Sequence, residues 1–354
     1  MKKTRVPGTR IAIFCYFILV PITIVFLLEG LLRVLHVGPS IPLPYARFVE
    51  DNVLPFRGTP NSVVKNTPWP AGDEFEFEYR YNSLGFRDSE HSFEKPRNVF
   101  RIVGIGDSFT VGAGSCFEGT YLFQLQNLIK ANKKDNSDVE IINLGMNRYW
   151  PEPERSALET IGIRYSPDLI LVQFSPNDIT DTYIGADCPL VLDGYLLSRQ
   201  AYELGRFGLW LYLNSRVCRI ALKLYLDHKF NPDSEDKSEP RWDDVFEDGG
   251  YHEKDWLKVE NEYQRMISVA KKARAQIAFI YIPSETQEKE YARRRLRAWG
   301  QKQGVLVIDT LPALRNAEKD EKVYWEQDIH CTQEGYRVIA ETVFRNLNSA
   351  GLLP

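Results

Sequence analysis

The chain has 354 residues but only five cysteines, Cys15, Cys116, Cys188, Cys218 and Cys331, and no CxxC pair. That excludes a zinc ribbon and a disulfide scaffold. A chain of this length buries enough core to need no disulfide staples. A basic stripe is also missing. Lys and Arg number 44 against 48 Asp and Glu, a net charge of −4, so nothing marks nucleic acid as a partner. There is no Gly-Lys-Ser or Gly-Lys-Thr for a P-loop. The GxGxxG fingerprint fails because Phe109 stands where Gly or Ala is needed after Gly104 and Gly106. No GxSxG elbow occurs, which argues against an ordinary α/β-hydrolase. The histidines, at 36, 91, 228, 252 and 330, have no metal-ligand spacing, so neither a metal nor another cofactor is expected. What is present is a globular composition, 44% hydrophobic and 26% charged. It is too apolar for a disordered chain and too polar for a polytopic membrane protein.

The net charge hides an asymmetry. Lys2, Lys3, Arg5, Arg10 and Arg33 outweigh Glu29 in the first 36 residues, and the rest of the chain is acidic. This basic segment flanks the most apolar stretch. Ile11 to Leu28 carries no charge, and the run reaches Leu35 with Glu29 and Arg33 as its only interruptions. At about 1.5 Å per residue this is roughly 27–37 Å of helix, enough for a bilayer core. Glu29 and Arg33 fall near one end, where they can snorkel and pair as i,i+4 neighbours. Pro21 is tolerated in a membrane helix. No Ala-x-Ala-like cleavage site follows, so an uncleaved anchor at 11–35 is expected, with a cytoplasmic tail at 1–10. The basic tail places the N-terminus in the cytoplasm and residues 37–354 outside it.

Residues 36–98 read as a Pro-rich linker with a small β element. Glu74–Tyr81, EFEFEYRY, alternates with period two, as a half-exposed strand does. From residue 99 short apolar runs alternate with helical patterns. Strands are expected at Val99–Ile105, Val139–Ile142, Leu169–Phe174, Gln276–Ile282 and Val305–Ile308. Helices are expected at about 118–132, 153–165, 256–273, 285–301 and 332–348. This rhythm is that of an α/β domain with a five-stranded parallel sheet covered on both faces. An insertion at about 183–255, with a helical stretch Ala201–Tyr225, reads either as a lid or substrate wall or as a solvated decoration. Its aromatics Tyr195, Trp210 and Trp242 serve core packing or line a sugar groove.

Ligands bind such sheets at the carboxyl ends of the strands. There the chain reads Gly106-Asp107-Ser108 after strand one, Asn143-Leu144-Gly145 after strand two and Ser175-Pro176-Asn177-Asp178 after strand three. Asp328-Ile329-His330 follows the fifth strand. These four blocks in this order resemble the GDSL/SGNH hydrolase superfamily over about residues 99–350. The resemblance implies a flavodoxin-like three-layer α/β/α sandwich and a serine esterase. Ser108 would be the nucleophile, His330 its general base and Asp328 the residue that orients the imidazole. The backbone N–H groups of Ser108 and Gly145 and the side-chain amide of Asn177 would hold the oxyanion. Gly106 is expected to supply backbone angles that other residues avoid, and the helix after Ser108 to favour negative charge. Asp107 is expected to cap that helix and Asp178 to support its loop.

Three features depart from the family pattern. Ser175 replaces a glycine. Asp328 lies two residues before His330 instead of three, with Gln327 at the usual place and Glu326 as the fallback. Tyr81-Asn82-Ser83-Leu84-Gly85-Phe86-Arg87 resembles a segment that precedes the domain in anchored members, and Arg87 is expected in a structural ion pair. Cys116, Cys188, Cys218 and Cys331 lie outside the cytoplasm in this reading, where they form either disulfides or buried thiols. The resemblance implies an acylated glycan, lipid or small-molecule substrate, with hydrolysis or acyl transfer as the reaction and a non-catalytic glycan- or partner-binding protein of the envelope as the alternative. It names no protein partner.

Overall fold

Five short apolar runs become the five strands of one parallel sheet. The computed structural model describes residues 7–35, 48–66, 74–133, 136–184, 190–192, 195–197, 204–230, 253–286, 291–326 and 328–354. Two units of the chain are compact by their internal contacts, Met1–Pro42 with Ser198–Lys237 and Leu43–Leu197 with Ser238–Pro354.

The larger unit opens with two antiparallel pairs, β1 (Phe48–Val49) with β2 (Arg57–Gly58) and β3 (Val63–Asn66) with β4 (Phe77–Arg80). The alternating run at 74–81 therefore yields a shorter strand than its pattern extends. The parallel sheet is built from β5 (Val99–Ile105), β6 (Asp138–Asn143) and β7 (Leu169–Phe174). A small antiparallel pair follows, β8 (Leu190–Leu192) with β9 (Tyr195–Leu197), and then β10 (Gln276–Tyr281) and β11 (Leu306–Asp309) complete the sheet. Its order is β11-β10-β7-β5-β6. The first strand in sequence is thus flanked by the second and the third, the flavodoxin-like order, and connections diverge between β5 and β7.

Alternate residues of each strand enter different cores. Val103, Ile105, Ile170, Val172 and Phe174 pack on one face with Trp256, Val259 and Tyr263. Ile102, Leu169, Leu171, Ala278 and Ile280 pack on the other with Leu122, Leu125, Ile339 and Val343. Burial on both faces is why these strands read as near-continuous apolar runs. The covering helices are amphipathic, as in Glu253–Ala273, which buries Trp256, Val259, Tyr263, Met266, Ile267 and Ala270 at helical spacing. The helix expected at 153–165 stops earlier, Pro151–Thr160 giving way to a 3-10 turn at Gly162–Tyr165.

The smaller unit joins the N-terminal helix α1 (Pro7–Val34) to two helices of the insertion. The single helical stretch expected at 201–225 is broken, into Gly205–Asn214 and Arg216–Phe230. Among the described residues no helix is long and apolar enough to cross a membrane. The side chains at 11–15 and 18, inside the apolar run, lie outside that set, as do Tyr195's side chain, Trp242 and the polar stretch 231–252.

Candidate active site

The turn that carries Ser108 is built where β5 ends. Asp107 caps a one-turn helix, α2 (Ser108–Val111), its Oδ1 accepting the Phe109 N–H at 2.9 Å. Its own N–H donates to Gln173 Oε1 at 2.9 Å. Burial pushes the Asp107 carboxyl above the usual aspartate range, against hydrogen bonds from Asn177 and Phe109 that favour the charge. Asp107 is thus the expected cap. The dipole expected behind Ser108 is small, because four helical residues align few peptides.

Gly106 is needed for a reason other than its backbone angles, since its φ is not positive. A Cβ there would lie 2.2 Å from Thr110 Oγ1 and 2.4 Å from Gln173 Oε1. Gly145 is constrained in the same way, with Thr110 Cβ at 2.7 Å and the Val111 nitrogen at 2.8 Å from an added Cβ. Gly145→Ala would push the turn that carries Ser108. We expect it to lower kcat/KM for an aryl ester by about tenfold to a hundredfold, as a misplacement near 1 Å does. Steady-state kinetics on the purified variant check this.

His330 comes from a tight hairpin. Tyr324 and Cys331 form a β-bridge, the Trp325 N–H donates to the His330 carbonyl at 3.1 Å and the Thr332 N–H to the Val323 carbonyl at 3.0 Å. The hairpin brings His330 Nε2 to 2.7 Å from Ser108 Oγ. On the other side of the ring, Nδ1 meets Asp328 Oδ1, which also accepts the His330 N–H at 2.9 Å. An ionised carboxylate can only accept, so Nδ1 carries the proton and Nε2 is left to accept from the serine hydroxyl. Asp328 is buried and the histidine side chain is 16% exposed. Glu326, the fallback, is exposed and pairs with Lys322 instead. Gln327 lies outside the described residues.

Two of the three expected oxyanion donors, Gly145 and Asn177, are engaged within the protein. The Gly145 N–H donates to Asn143 Oδ1 at 2.8 Å, and Asn177 Nδ2 donates to Asp107 Oδ2 at 2.9 Å. Gly145 has one hydrogen to give, whereas the amide of Asn177 carries two. Asp178 holds its loop as expected, its Oδ2 accepting the Ser175 N–H at 3.0 Å and the Tyr263 hydroxyl at 3.3 Å. The Ser175 hydroxyl donates to the Ile282 carbonyl, a tie between β7 and the end of β10 that a glycine would lack.

The carbonyls that follow Ser108 are held one after another. Arg87 donates from Nη1 to Val111 at 3.0 Å and Gly112 at 2.7 Å, and from Nη2 to Ser115 at 2.7 Å. The Tyr336 hydroxyl donates to Ala113 at 2.8 Å, and Trp325 Nε1 to Gly114 at 2.9 Å. Arg87 is 1% exposed, stacks 3.7 Å over the Tyr79 ring and has no carboxylate partner among the described residues. The ion pair expected of it is absent; its partners are backbone oxygens. Burial lowers its pKa, partly offset by the neighbouring tyrosines. Asp88 next to it accepts the Asn143 N–H at 2.8 Å, and Asn143 Nδ2 donates to the Thr110 carbonyl at 2.9 Å. The segment at 81–88 thus braces both the Ser108 turn and the Gly145 turn. Sequence reasoning missed Arg87, Gln173, Asn143, Trp325 and Tyr336 in this setting. Asn143 carried a signal, two residues before Gly145, and Arg87 another, as the last residue of the segment at 81–87.

Cys116, Cys218 and Cys331 are free thiols, not disulfides, and burial pushes the Cys331 thiol up. Cys188 lies outside the described residues. Among the described residues no group of three His, Cys, Asp or Glu side chains converges to hold a metal.

No curated protein matches the chain. Solved structures similar to it include a lipase from a goat rumen metagenome, 15% identical, covering 70% of this chain and 97% of its own at a TM-score of 0.43. A catalytic mutant of an acetylxylan esterase from Geobacillus stearothermophilus is 13% identical, covers 70% of this chain and 94% of its own, and has a TM-score of 0.41. A member of the lipolytic G-D-S-L family from Veillonella parvula is 14% identical, covers 70% and 97%, and has a TM-score of 0.40. The model of the GDSL-like lipase/acylhydrolase family matches residues 105–338, from the end of β5 to the helix after His330. The chain therefore belongs to the GDSL-like lipase/acylhydrolase family, a family of ester hydrolases.

Proposed function

We propose that the chain is a serine esterase held at the outer face of a membrane, acting on O-acyl groups of envelope carbohydrate or lipid. The observation that carries the chemistry is the hydrogen-bonded series Ser108, His330 and Asp328. Ser108 Oγ attacks the acyl carbonyl while His330 Nε2 takes its proton. Asp328 fixes the tautomer and stabilises the imidazolium. The side-chain amide of Asn177 and the backbone N–H of Ser108 receive the oxyanion, with Gly145 joining as Asn143 yields its hydrogen bond. One such donor is worth about 3 kcal/mol of barrier. His330 then returns the proton to the leaving alcohol. Water or a sugar hydroxyl attacks the acyl-enzyme, giving hydrolysis or acyl transfer from the same residues. A purely binding role has no use for a serine and histidine at 2.7 Å, beside a buried carboxylate.

The anchor is supported by the 28-residue helix Pro7–Val34 and by the exposure of Phe17, Leu19, Phe26, Leu27 and Leu31 along it. The basic tail supports a cytoplasmic N-terminus.

Two measurements test this reading. Full-length protein in detergent is incubated with an O-acetylated polysaccharide and the released acetate is measured, with any acetyl moved to added sugar counted as transfer. Release or transfer is expected from the wild type and not from His330→Ala; equal release from both sinks the proposal. Asp328→Asn is expected to lower kcat on an aryl acetate by roughly 10³–10⁴-fold through the wrong tautomer. Glu326→Gln is expected to leave it unchanged, and a reversed ranking would transfer the orienting role to Glu326.

A further inference from the structure

Glu29 is the one acid in the apolar N-terminal run, and both of its oxygens are captured from a helix far along the chain. Oε1 accepts the Arg216 N–H at 3.0 Å and Arg33 Nε at 2.7 Å. Oε2 accepts the Val217 N–H at 3.0 Å and the Ser215 hydroxyl at 2.9 Å. The first N–H groups of a helix have no partner within it, so Glu29 caps the helix Arg216–Phe230 from outside. Two further bonds lock the junction. Arg33 Nη2 donates to the Asn214 carbonyl at 2.7 Å, and Arg216 Nη1 to the Leu32 carbonyl at 3.1 Å. The break between the two insertion helices therefore sits one residue past Leu28, where the uncharged run ends.

Those helices carry what a bilayer interface selects. In Gly205–Asn214, Leu209 is buried, whereas Phe207 and Trp210 are 72% and 56% exposed and stack on each other. In the next helix Leu224 and Tyr225 are exposed. Over 205–230 the sequence carries Arg206, Arg216, Arg219, Lys223 and Lys229 against Asp227, in a chain whose exported part is acidic; Arg206 is exposed, whereas Arg219 is buried and donates to the Tyr212 carbonyl. Aromatic rings with apolar bodies belong at the headgroup level, and basic residues there are drawn to anionic lipid at about 1 kcal/mol each.

We propose that the 205–230 helices form a second membrane contact, lying on the outer-leaflet surface with Phe207 and Trp210 at the headgroup–acyl boundary, locked to the anchor by Glu29. This rests on the anchor proposed above. It gives the insertion the bilayer as its partner, in place of the lid or substrate wall considered from sequence.

The test uses the full-length chain in nanodiscs containing anionic phospholipid, with two photoreactive phospholipids, one carrying its diazirine near the headgroup and one at the acyl-chain end. Mass spectrometry locates the adducts. Headgroup-probe adducts are expected on 205–225 and chain-end adducts on 11–28. Phe207→Glu with Trp210→Glu is expected to cut the 205–212 adducts at least fivefold, with anchor adducts and ester hydrolysis unchanged. Glu29→Gln, which weakens the lock without changing size, is expected to cut them about threefold. Chain-end adducts on 11–28 with no headgroup-probe adducts on 205–225 would overturn the inference and leave the anchor standing. Absence of chain-end adducts on 11–28 would overturn the anchor, and the inference with it.

Discussion

Replacing Ser108 with Ala is expected to lower kcat/KM for p-nitrophenyl acetate on the order of ten-thousand-fold or more, with little change in stability. Removing the nucleophile of a coupled serine–histidine–aspartate set costs about as much as removing the whole set. The stability effect is small because Ser108 is only half-buried and its side chain makes one hydrogen bond, at 2.7 Å to His330 Nε2. Its loss costs about 1 kcal/mol. The turn keeps its shape, because Asp107 still caps α2 and Arg87 still holds the carbonyls behind it. Initial rates and a thermal melt on one preparation separate the two effects. A variant that folds and hydrolyses like the wild type would remove Ser108 from the chemistry.

The second large effect is at Arg87, which touches no reacting atom. Arg87→Met leaves the Val111 and Ser115 carbonyls without their side-chain donor in a buried place, while the Gly112 carbonyl keeps the Ser115 N–H at 3.3 Å and the Tyr79 hydroxyl at 3.5 Å. An unsatisfied buried acceptor costs about 1–3 kcal/mol, so a destabilisation of at least about 2 kcal/mol is expected. Arg87→Lys is the more informative change. A lysine keeps the charge but lacks the planar fork that spans Val111 to Ser115. The Ser108 turn should then drift while the substrate surface stays intact. The expected signature is a kcat lowered about tenfold to a hundredfold with KM nearly unchanged. Chemical denaturation with steady-state kinetics checks both variants. An Arg87→Lys enzyme that loses stability with full kcat would make Arg87 a purely structural residue.

Much of the fold was legible for a simple reason. Strands buried on both faces are apolar almost throughout, and Leu169–Phe174, with Gln173 its one polar residue, could be placed to the residue. The site blocks were legible because they occupy strand ends in a fixed order. The role of Arg87 was not, because its partners are backbone carbonyls, which leave no mark in a sequence; an ion pair was expected for want of any signal of those partners. Gly106 was read through its backbone angles, whereas the side chains of Thr110 and Gln173 fill the space a Cβ would need. That crowding depends on β7 lying beside β5, a fact of topology. Glu29 was read as the i,i+4 partner of Arg33. That pair exists at 2.7 Å, but the caps on Arg216 and Val217 join positions nearly two hundred residues apart. The break at Ser215 was hidden for the same reason, since the apolar and aromatic pattern continues across it.

The central claim is that His330 and Asp328 make Ser108 the reactive nucleophile of the chain. Labelling by a fluorophosphonate, read by peptide mass spectrometry, tests it without a choice of substrate. The expected result is one covalent adduct, on the peptide that carries Ser108, formed far more slowly in His330→Ala. Unlabelled Ser108 in folded protein, or equal labelling with and without His330, would contradict it.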